Sequence, residues 1–225
     1  DEPNESLAAG AENVVLTQAP ASDAAIVIPH DYTVEDKSIS IALPSTESTI
    51  MLNYDEATGY APEKITIKTD GAKNLVINAE ESTVTVEGNF ADVTAATADN
   101  TLVVDENTTI ASLTLNRGSL KLYGVVESIT KGEGWSGTIY RCFNSQKSFD
   151  NLAADKVSGY TEILVENPAT ETIDGKGAAF TRQMTVSAPV TVNNFRIDVD
   201  YAGAYGLKIL DGADRVSMDN VVVTS

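Results

Sequence analysis

The chain has 225 residues, 42% of them hydrophobic, and a formal net charge of −18 from 33 acidic and 15 basic residues. This length suits one large all-β domain or two modest domains. The acidic balance argues against nucleic acid as a partner, because phosphate binding requires clustered lysine and arginine, and it equally disfavours anionic lipid headgroups. An acidic surface mainly keeps a protein soluble and apart from its neighbours.

The sequence offers little for covalent chemistry. Its single cysteine, Cys142, cannot form an internal disulfide, and we interpret it as a small buried hydrophobe. A nucleophilic role would require a nearby histidine, and the single histidine, His30, lies far away in sequence. No run of about 18 apolar residues exists, so we predict no transmembrane segment.

The first residues of the chain suggest an exported protein, and the last residues suggest that the natural chain continues or carries a cap. Residues 1–12 are small and polar without a hydrophobic period, which predicts a flexible tether left after removal of a signal or lipoprotein leader. That hypothesis implies a lipid anchor upstream of residue 1 and a location at the cell surface, as an outer-membrane lipoprotein, or outside the cell. An arbitrary boundary is the alternative. Residues 221–225 stop inside a strand pattern, so we expect the natural chain to continue or to carry a cap.

Short strand signals dominate residues 13–144. They are rich in Val, Ile, Leu and Thr, and they alternate with period two. Turn formers such as Asp99-Asn100 and Asn116-Arg117-Gly118 separate them. The predicted strands are 14–16, 25–28, 38–42, 49–52, 65–67, 75–77, 84–86, 102–104, 113–115 and 120–122, with a weaker one near Val93.

The apolar positions of this segment recur at two periods. Ile65, Val84, Leu102, Leu120 and Ile139 are 18 or 19 residues apart, whereas Leu75, Leu102 and Ile129 are 27 apart. The spacing therefore leaves two or three strands per coil open. Both predict a solenoid, in which identical positions stack into inward ladders. The alternative is a β-sandwich of hairpins, which also has regularly spaced short strands.

One helix is predicted, near residues 148–157. Ser145 or Ser148 can serve as its N-cap, and Gly159 ends it. A strand at 163–165 and the sequence Ile-Asp-Gly-Lys-Gly at 173–177 follow. Helical spacing places four apolar residues on one face of this helix, namely Phe149, Leu152, Ala153 and Val157.

Asparagine stands at the same point in two matching segments near the C-terminal end. Residues 190–197 align with 216–223 at a constant offset of 26, so Asn194 matches Asn220. Each segment reads as a strand, a tight turn at asparagine and a second strand, because asparagine tolerates the left-handed conformation of such a turn. The residues predicted to point inward are Val190, Val192, Phe195, Ile197, Val216, Met218, Val221 and Val223.

The helix, the strand and the 173–177 turn together resemble the opening of the right-handed parallel β-helix superfamily, the pectate-lyase-like fold. In that family the helix caps the first coil, and turn asparagines stack into a ladder, a structural role that the resemblance assigns to Asn194 and Asn220. The resemblance covers residues 145–225. The first half is similar in texture to β-helical surface proteins and lipoproteins that Gram-negative bacteria export. We therefore predict an all-β, right-handed parallel β-helix in two segments, 13–144 and 145–225.

The candidate catalytic residues are Arg196, Asp198, Asp200 and Lys208. If Ile197 points inward, the first three share one outer face, and Lys208 would lie on a neighbouring coil. A calcium-dependent uronate lyase needs carboxylates for the metal and a base beside the uronate carboxyl. The complete family motifs are absent, since there is no aspartate pair, no catalytic histidine and no Arg-x-x-Arg-like element. A solvated strand face is therefore preferred, with no catalytic residue, metal site or cofactor; calcium enters only with the lyase hypothesis.

Exposed aromatic residues are the other candidates, because saccharides stack on them. Tyr201 and Tyr205 lie in a loop with nearby glycines, and Tyr140 is a further candidate. Trp135 lies among the glycines of residues 132–137, and we expect it to fold back onto the core end.

Three functions follow from these patterns. The leading hypothesis is a non-catalytic, exported cell-surface β-helix protein that binds polysaccharide, another surface glycan or a different surface partner. The second is a polysaccharide lyase or glycoside hydrolase acting in a groove along the coils. The third is a purely structural stalk or adhesin segment.

Overall fold

The structure, a computed structural model, describes residues 4–6, 10–17, 25–28, 38–54, 64–79, 82–96, 100–154, 159–199 and 205–224. Within these ranges the protein is all-β with one helix, and the strand pairs are parallel. The predicted parallel β-helix is thus confirmed. The chain forms two compact units, the first comprising residues 1–120 and 125–138 and the second comprising 121–124 and 139–225.

The first unit is a stack of coils whose strands follow the predicted alternation. Outward side chains alternate with inward aliphatic ones that are almost fully buried, such as Ile65, Val84 and Leu113. The strands are β1 (Asn4–Ser6), β2 (Asn13–Val15), β3 (Ala25–Ile28), β4 (Ser38–Leu43), β5 (Thr46–Tyr54), β6 (Lys64–Asn78), β7 (Thr83–Ala95), β8 (Thr101–Val104), β9 (Thr109–Leu115), β10 (Ser119–Leu122, of which 121–122 belong to the second unit) and β11 (Val125–Lys131).

Each coil of the first unit has two strands. Ile65 lies opposite Val84, which lies opposite Leu102, so the coil repeat is 19 and then 18 residues. Leu75 lies opposite Val93 rather than Leu102, so the 27-residue period joins positions that do not stack. The shorter period is the structural one because backbone hydrogen bonds fix the register between successive coils.

The segment predicted to be a tether contains β1. Asn4 of β1 lies opposite Ala25 of β3 in a parallel pair. Residues 1–3 and 7–9 lie outside the described residues. Parallel pairing uses backbone groups, which every residue type carries, so a segment without an apolar period can still join a sheet.

The second unit has the same parallel architecture. Its strands are β12 (Ile139–Cys142), β13 (Glu162–Val165), β14 (Thr172–Phe180), β15 (Met184–Val186), β16 (Val190–Asp198), β17 (Leu207–Ile209) and β18 (Val216–Thr224). The shorter ones pair in the order β12, β13, β15, β17, and the longer ones form a separate sheet in the order β14, β16, β18. Val190 lies opposite Val216, at the predicted offset of 26.

Helix α1 (Gln146–Ala154) fills the interior of the second unit. The Ser145 hydroxyl accepts a hydrogen bond from the Ser148 amide at 3.1 Å, which identifies Ser145 as the N-cap. Phe149 is fully buried and meets Phe143 and Phe180 edge-on, at centroid distances of 5.1 and 5.7 Å. Such edge-to-face pairs add to the area that the rings bury.

The helix differs from its prediction in two respects. It begins at Gln146, two residues before the predicted start, because Ser145 rather than the buried Ser148 caps it. Ala153, predicted on the buried face, is exposed. Residues 155–158, including Val157, lie outside the described part of the chain.

The residues predicted to point inward are buried in β16 but partly exposed in β18. Val190, Val192, Phe195 and Ile197 are at most 2% exposed, whereas Val223 of β18 is 42% exposed. In the described residues β18 pairs with β16 on one side only, so no strand covers its other edge.

Candidate functional site

The outer face of β16 carries a carboxylate that is paired with a cation. Ile197 is fully buried, so its neighbours Arg196 and Asp198 point outward, where the Arg196 guanidinium and the Thr224 hydroxyl both donate hydrogen bonds to the Asp198 carboxylate. These bonds, that from Arg196 first, lower the pKa of Asp198. A carboxylate held in its charged form by a cation is a poor proton acceptor. Asp200 lies outside the described residues.

Lys208 does not join this face. It lies on β17, opposite Thr185 of β15, in a different sheet from β16. The pairing of β17 with β15 places Lys208 on the coil that follows β15 and β16, but in a different sheet from the acidic face. Asp219 does neighbour the face, and its amide donates to the Asn193 side-chain oxygen at 3.1 Å.

Asn194 and Asn220 form a side-chain ladder at the bend of their strands. Both adopt the left-handed conformation, with φ of 57° and 52°. The Asn220 amide donates to Asn194 at 2.8 Å, and Asn194 donates to the Asp174 carboxylate at 2.9 Å. The bond from Asn194 is the main cause of a lowered pKa of Asp174. The side chains fill this corner and satisfy one another.

A half-buried polar cluster surrounds Glu166. Its carboxylate pairs with Lys121 at 2.5 Å and accepts the Tyr123 hydroxyl at 3.2 Å. Asn167 in turn donates to the Tyr123 oxygen at 2.9 Å. Nearby Cys142 is fully buried, and burial raises the pKa of its thiol to about 12. The thiol is protonated near neutral pH, so it is no nucleophile.

The aromatic candidates differ in what they offer. Trp135 is half-buried, its indole N–H donates to the Gly118 carbonyl at 2.9 Å, and the Lys131 ammonium lies 4.6 Å from its ring centroid. It therefore folds back onto the unit, and a cation occupies one face of the ring. Tyr205 is 71% exposed, and Tyr140 is half-buried opposite Glu162. Tyr201 lies outside the described residues.

A polar cleft of about 360 Å³ opens at one corner of the first unit. It lies where three successive coils turn into their first strand, and the single tryptophan bonds to its wall through the Gly118 carbonyl. The residues that line it are Asn100, Thr101, Arg117, Gly118, Ser119, Ser136 and Gly137.

Glycines line the cleft where the backbones of adjacent coils approach closely. A Cβ atom on Gly118 would lie 2.4 Å from the Asn100 carbonyl oxygen, and one on Gly137 would lie 1.8 Å from the Gly118 carbonyl oxygen. Gly118 also has a φ of 74°, which glycine adopts without strain. The glycines therefore let adjacent coils pack tightly at this corner, and the cleft lies among the residues around that contact.

Asn100 is the buried polar group of this cleft. It is 4% exposed, and its side-chain amide donates to the Ala79 carbonyl at 2.5 Å. Its side-chain oxygen has no hydrogen-bond donor. Buried acceptors in native proteins almost always have a partner, but this oxygen is closed off from solvent, so it belongs to the packed wall behind the cleft and not to its open surface.

Sequence reasoning recognised these residues as turn formers and did not recognise a site. The signal lay in their spacing, since Asn100, Gly118 and Gly137 are 18 and 19 residues apart, the coil repeat of the first unit. Residues that share this repeat stack on one another at a corner.

Neither a candidate metal site nor a membrane-spanning helix occurs among the described residues. No group of three potential metal-ligating side chains occurs among them, and no helix they form is long and apolar enough to cross a membrane. No family model, curated protein or solved structure matches the chain.

Proposed function

We propose that this protein is a non-catalytic, exported β-helix protein, located at the cell surface as a lipoprotein or outside the cell, that binds glycan. Within this proposal its second unit belongs with the right-handed, pectate-lyase-like β-helices. The observation that carries the proposal is the polar cleft at the corner of the first unit. Hydroxyl groups and one guanidinium line it, which suits the dense hydrogen-bonding surface of a saccharide.

The chemistry of the acidic residues supports a role without turnover. Asp198 is paired with Arg196, and Asp150 is paired with Lys176 at 2.7 Å. Both carboxyl groups have a lowered pKa because of these hydrogen bonds. A general base or acid needs a pKa near the working pH, and these shifts move the groups away from it.

A combined turnover and affinity assay tests the proposal. The protein is incubated with uronate-containing and neutral polysaccharides, with and without calcium, and unsaturated products and reducing ends are followed. Affinity electrophoresis on the same polymers measures binding. We expect no product and retarded migration in at least one polymer. Calcium-dependent product that disappears in Asp198→Ala would make the protein a lyase, and no retardation in any polymer would remove the glycan-binding role.

A further inference from the structure

We infer that the corner cleft takes a neutral, hydroxyl-rich saccharide chain laid across successive coils. This inference rests on the proposed glycan-binding function and names the ligand class and the site. Three observations carry it, namely the direction of the cleft, its hydrogen-bonding groups and its charge.

The direction follows from the backbone. The Ser119 amide donates to the Asn100 carbonyl at 2.8 Å, and the Thr138 amide donates to the Ser119 hydroxyl at 3.1 Å. These bonds join three successive coils, so the cleft runs along the stack rather than along one strand. Adjacent strands are about 4.8 Å apart, so the track spans roughly 10 Å and accommodates consecutive rings of a chain instead of a single ring.

The hydrogen-bonding groups match alcohols. Thr101, Ser119 and Ser136 each present a hydroxyl, which can donate and accept. Such hydroxyl groups pair with the alcohols of a saccharide in either direction, whereas an ether or carboxylate oxygen of a ligand can only accept.

The charge favours a neutral ligand. Of the described residues that line the cleft, Arg117 alone is charged, and its guanidinium reaches the Gly134 carbonyl at 3.5 Å. The chain carries a formal charge of −18, so its field repels a polyanion. One partly engaged guanidinium on an acidic protein does not form the basic track that a polyuronate would need.

The test measures binding of the intact chain by isothermal titration calorimetry. The neutral probes are galactomannan, mixed-linkage β-glucan and dextran, and the acidic probes are polygalacturonate and alginate. Ser136→Tyr fills the cleft from an exposed position, and Thr130→Tyr is the matched control because Thr130 lies on the surface of the same unit and does not line the cleft. Circular dichroism checks that both variants fold.

We expect at least one neutral polymer to bind more tightly than either acidic one. Ser136→Tyr should weaken that binding at least tenfold, and Thr130→Tyr should leave it within twofold of the wild type.

Three results would overturn the inference, and they fall differently on the proposed function. Tighter binding of an acidic polymer would refute the ligand class while glycan binding stands. Neutral-polymer binding that Ser136→Tyr does not change would place the glycan elsewhere on the protein. Absence of binding to every polymer would remove both the inference and the proposed function.

Discussion

The two units turn their corners in opposite ways, and the difference locates the candidate site. In the first unit, Gly118 and Gly137 let the backbones of adjacent coils come together, and a polar cleft adjoins that contact. In the second unit, Asn194 and Asn220 occupy the left-handed position, and their side chains bond along the stack. The glycine corner therefore has no side-chain ladder and adjoins a cleft that can receive a ligand, whereas the asparagine corner is occupied by its own side chains.

The interiors differ as well. The first unit is filled mainly by aliphatic ladders in which Ile, Val and Leu stack on their equivalents in the next coil, as Ile65 does on Val84. The second unit adds an aromatic cluster centred on Phe149 of α1, with Phe143, Phe180 and Phe195 around it. Regular coils can be filled by repetition alone, whereas the coils of the second unit have a helix side chain in their interior.

The largest effect should come from emptying the aromatic cluster. Phe149→Ala removes a fully buried ring and should lower the free energy of unfolding by about 3–5 kcal/mol. Phe149→Leu keeps most of the volume and should cost about 1.5 kcal/mol or less. Urea denaturation followed by circular dichroism measures both. Equal losses in the two variants would show that α1 does not fill the interior as described.

The next effect distinguishes close approach from backbone conformation. Gly118→Ala places a methyl group 2.4 Å from a carbonyl oxygen at a φ of 74° and should cost about 2–5 kcal/mol. Gly177 has a φ of 78°, and a Cβ atom added there would meet nothing within 4 Å. Gly177→Ala should therefore cost only the conformational strain, about 1–2 kcal/mol. Thermal unfolding of the two variants compares them, and equal costs would contradict the tight glycine corner.

The asparagine corner predicts a smaller loss. Asn194→Ala removes two ladder hydrogen bonds and leaves alanine in the left-handed region, which should cost about 1–3 kcal/mol. Asn194→Gly removes the same bonds and relieves the strain, so about 1 kcal/mol is expected. Urea midpoints separate the two contributions. A glycine variant that is no more stable than the alanine variant would contradict the contribution of left-handed strain at this corner.

The smallest effect is a pH dependence confined to the second unit. Hydrogen bonds, that from Asn194 first, lower the pKa of the exposed Asp174 carboxyl. The folded state then holds its proton less tightly than the unfolded state, so the contribution to stability is present above the ordinary value of about 3.9 and is lost as the pH falls through the folded pKa. In Asn194→Gly this pKa should rise toward the ordinary value, as NMR titration of the Asp174 side chain would show. An unchanged pKa would mean that the ladder does not act on Asp174.

The fold could largely be predicted because buried strands leave a local record. The alternation around Ile65, Val84 and Leu102 and the 26-residue offset between Asn194 and Asn220 each reflect one side of a coil. The number of strands per coil could not be read, since the 18- and 27-residue periods coexist in one sequence and backbone register chooses between them. The sheet of Lys208 could not be read for a related reason, because spacing does not say to which sheet a strand belongs.

The cleft is lined by residues that a sequence shows only as turn formers. Gly118 and Gly137 predict turns, but only the structure reveals that these turns stack on one another beside a cleft. Asn100 looks like an ordinary turn residue, and its unpartnered oxygen is a property of packing. The recurrence of turn residues at the coil spacing is the sequence signal that could have led to the site.

The single tryptophan provides the most direct measurement of the central claim, that the glycine corner binds a saccharide. Trp135 donates its indole N–H to the Gly118 carbonyl, in the wall of the cleft. Titration with the neutral oligosaccharide that calorimetry identifies as a ligand should produce a saturable change in tryptophan emission, and Ser136→Tyr should abolish it. A ligand that binds without changing the emission, or that changes it equally in Ser136→Tyr, would contradict the claim.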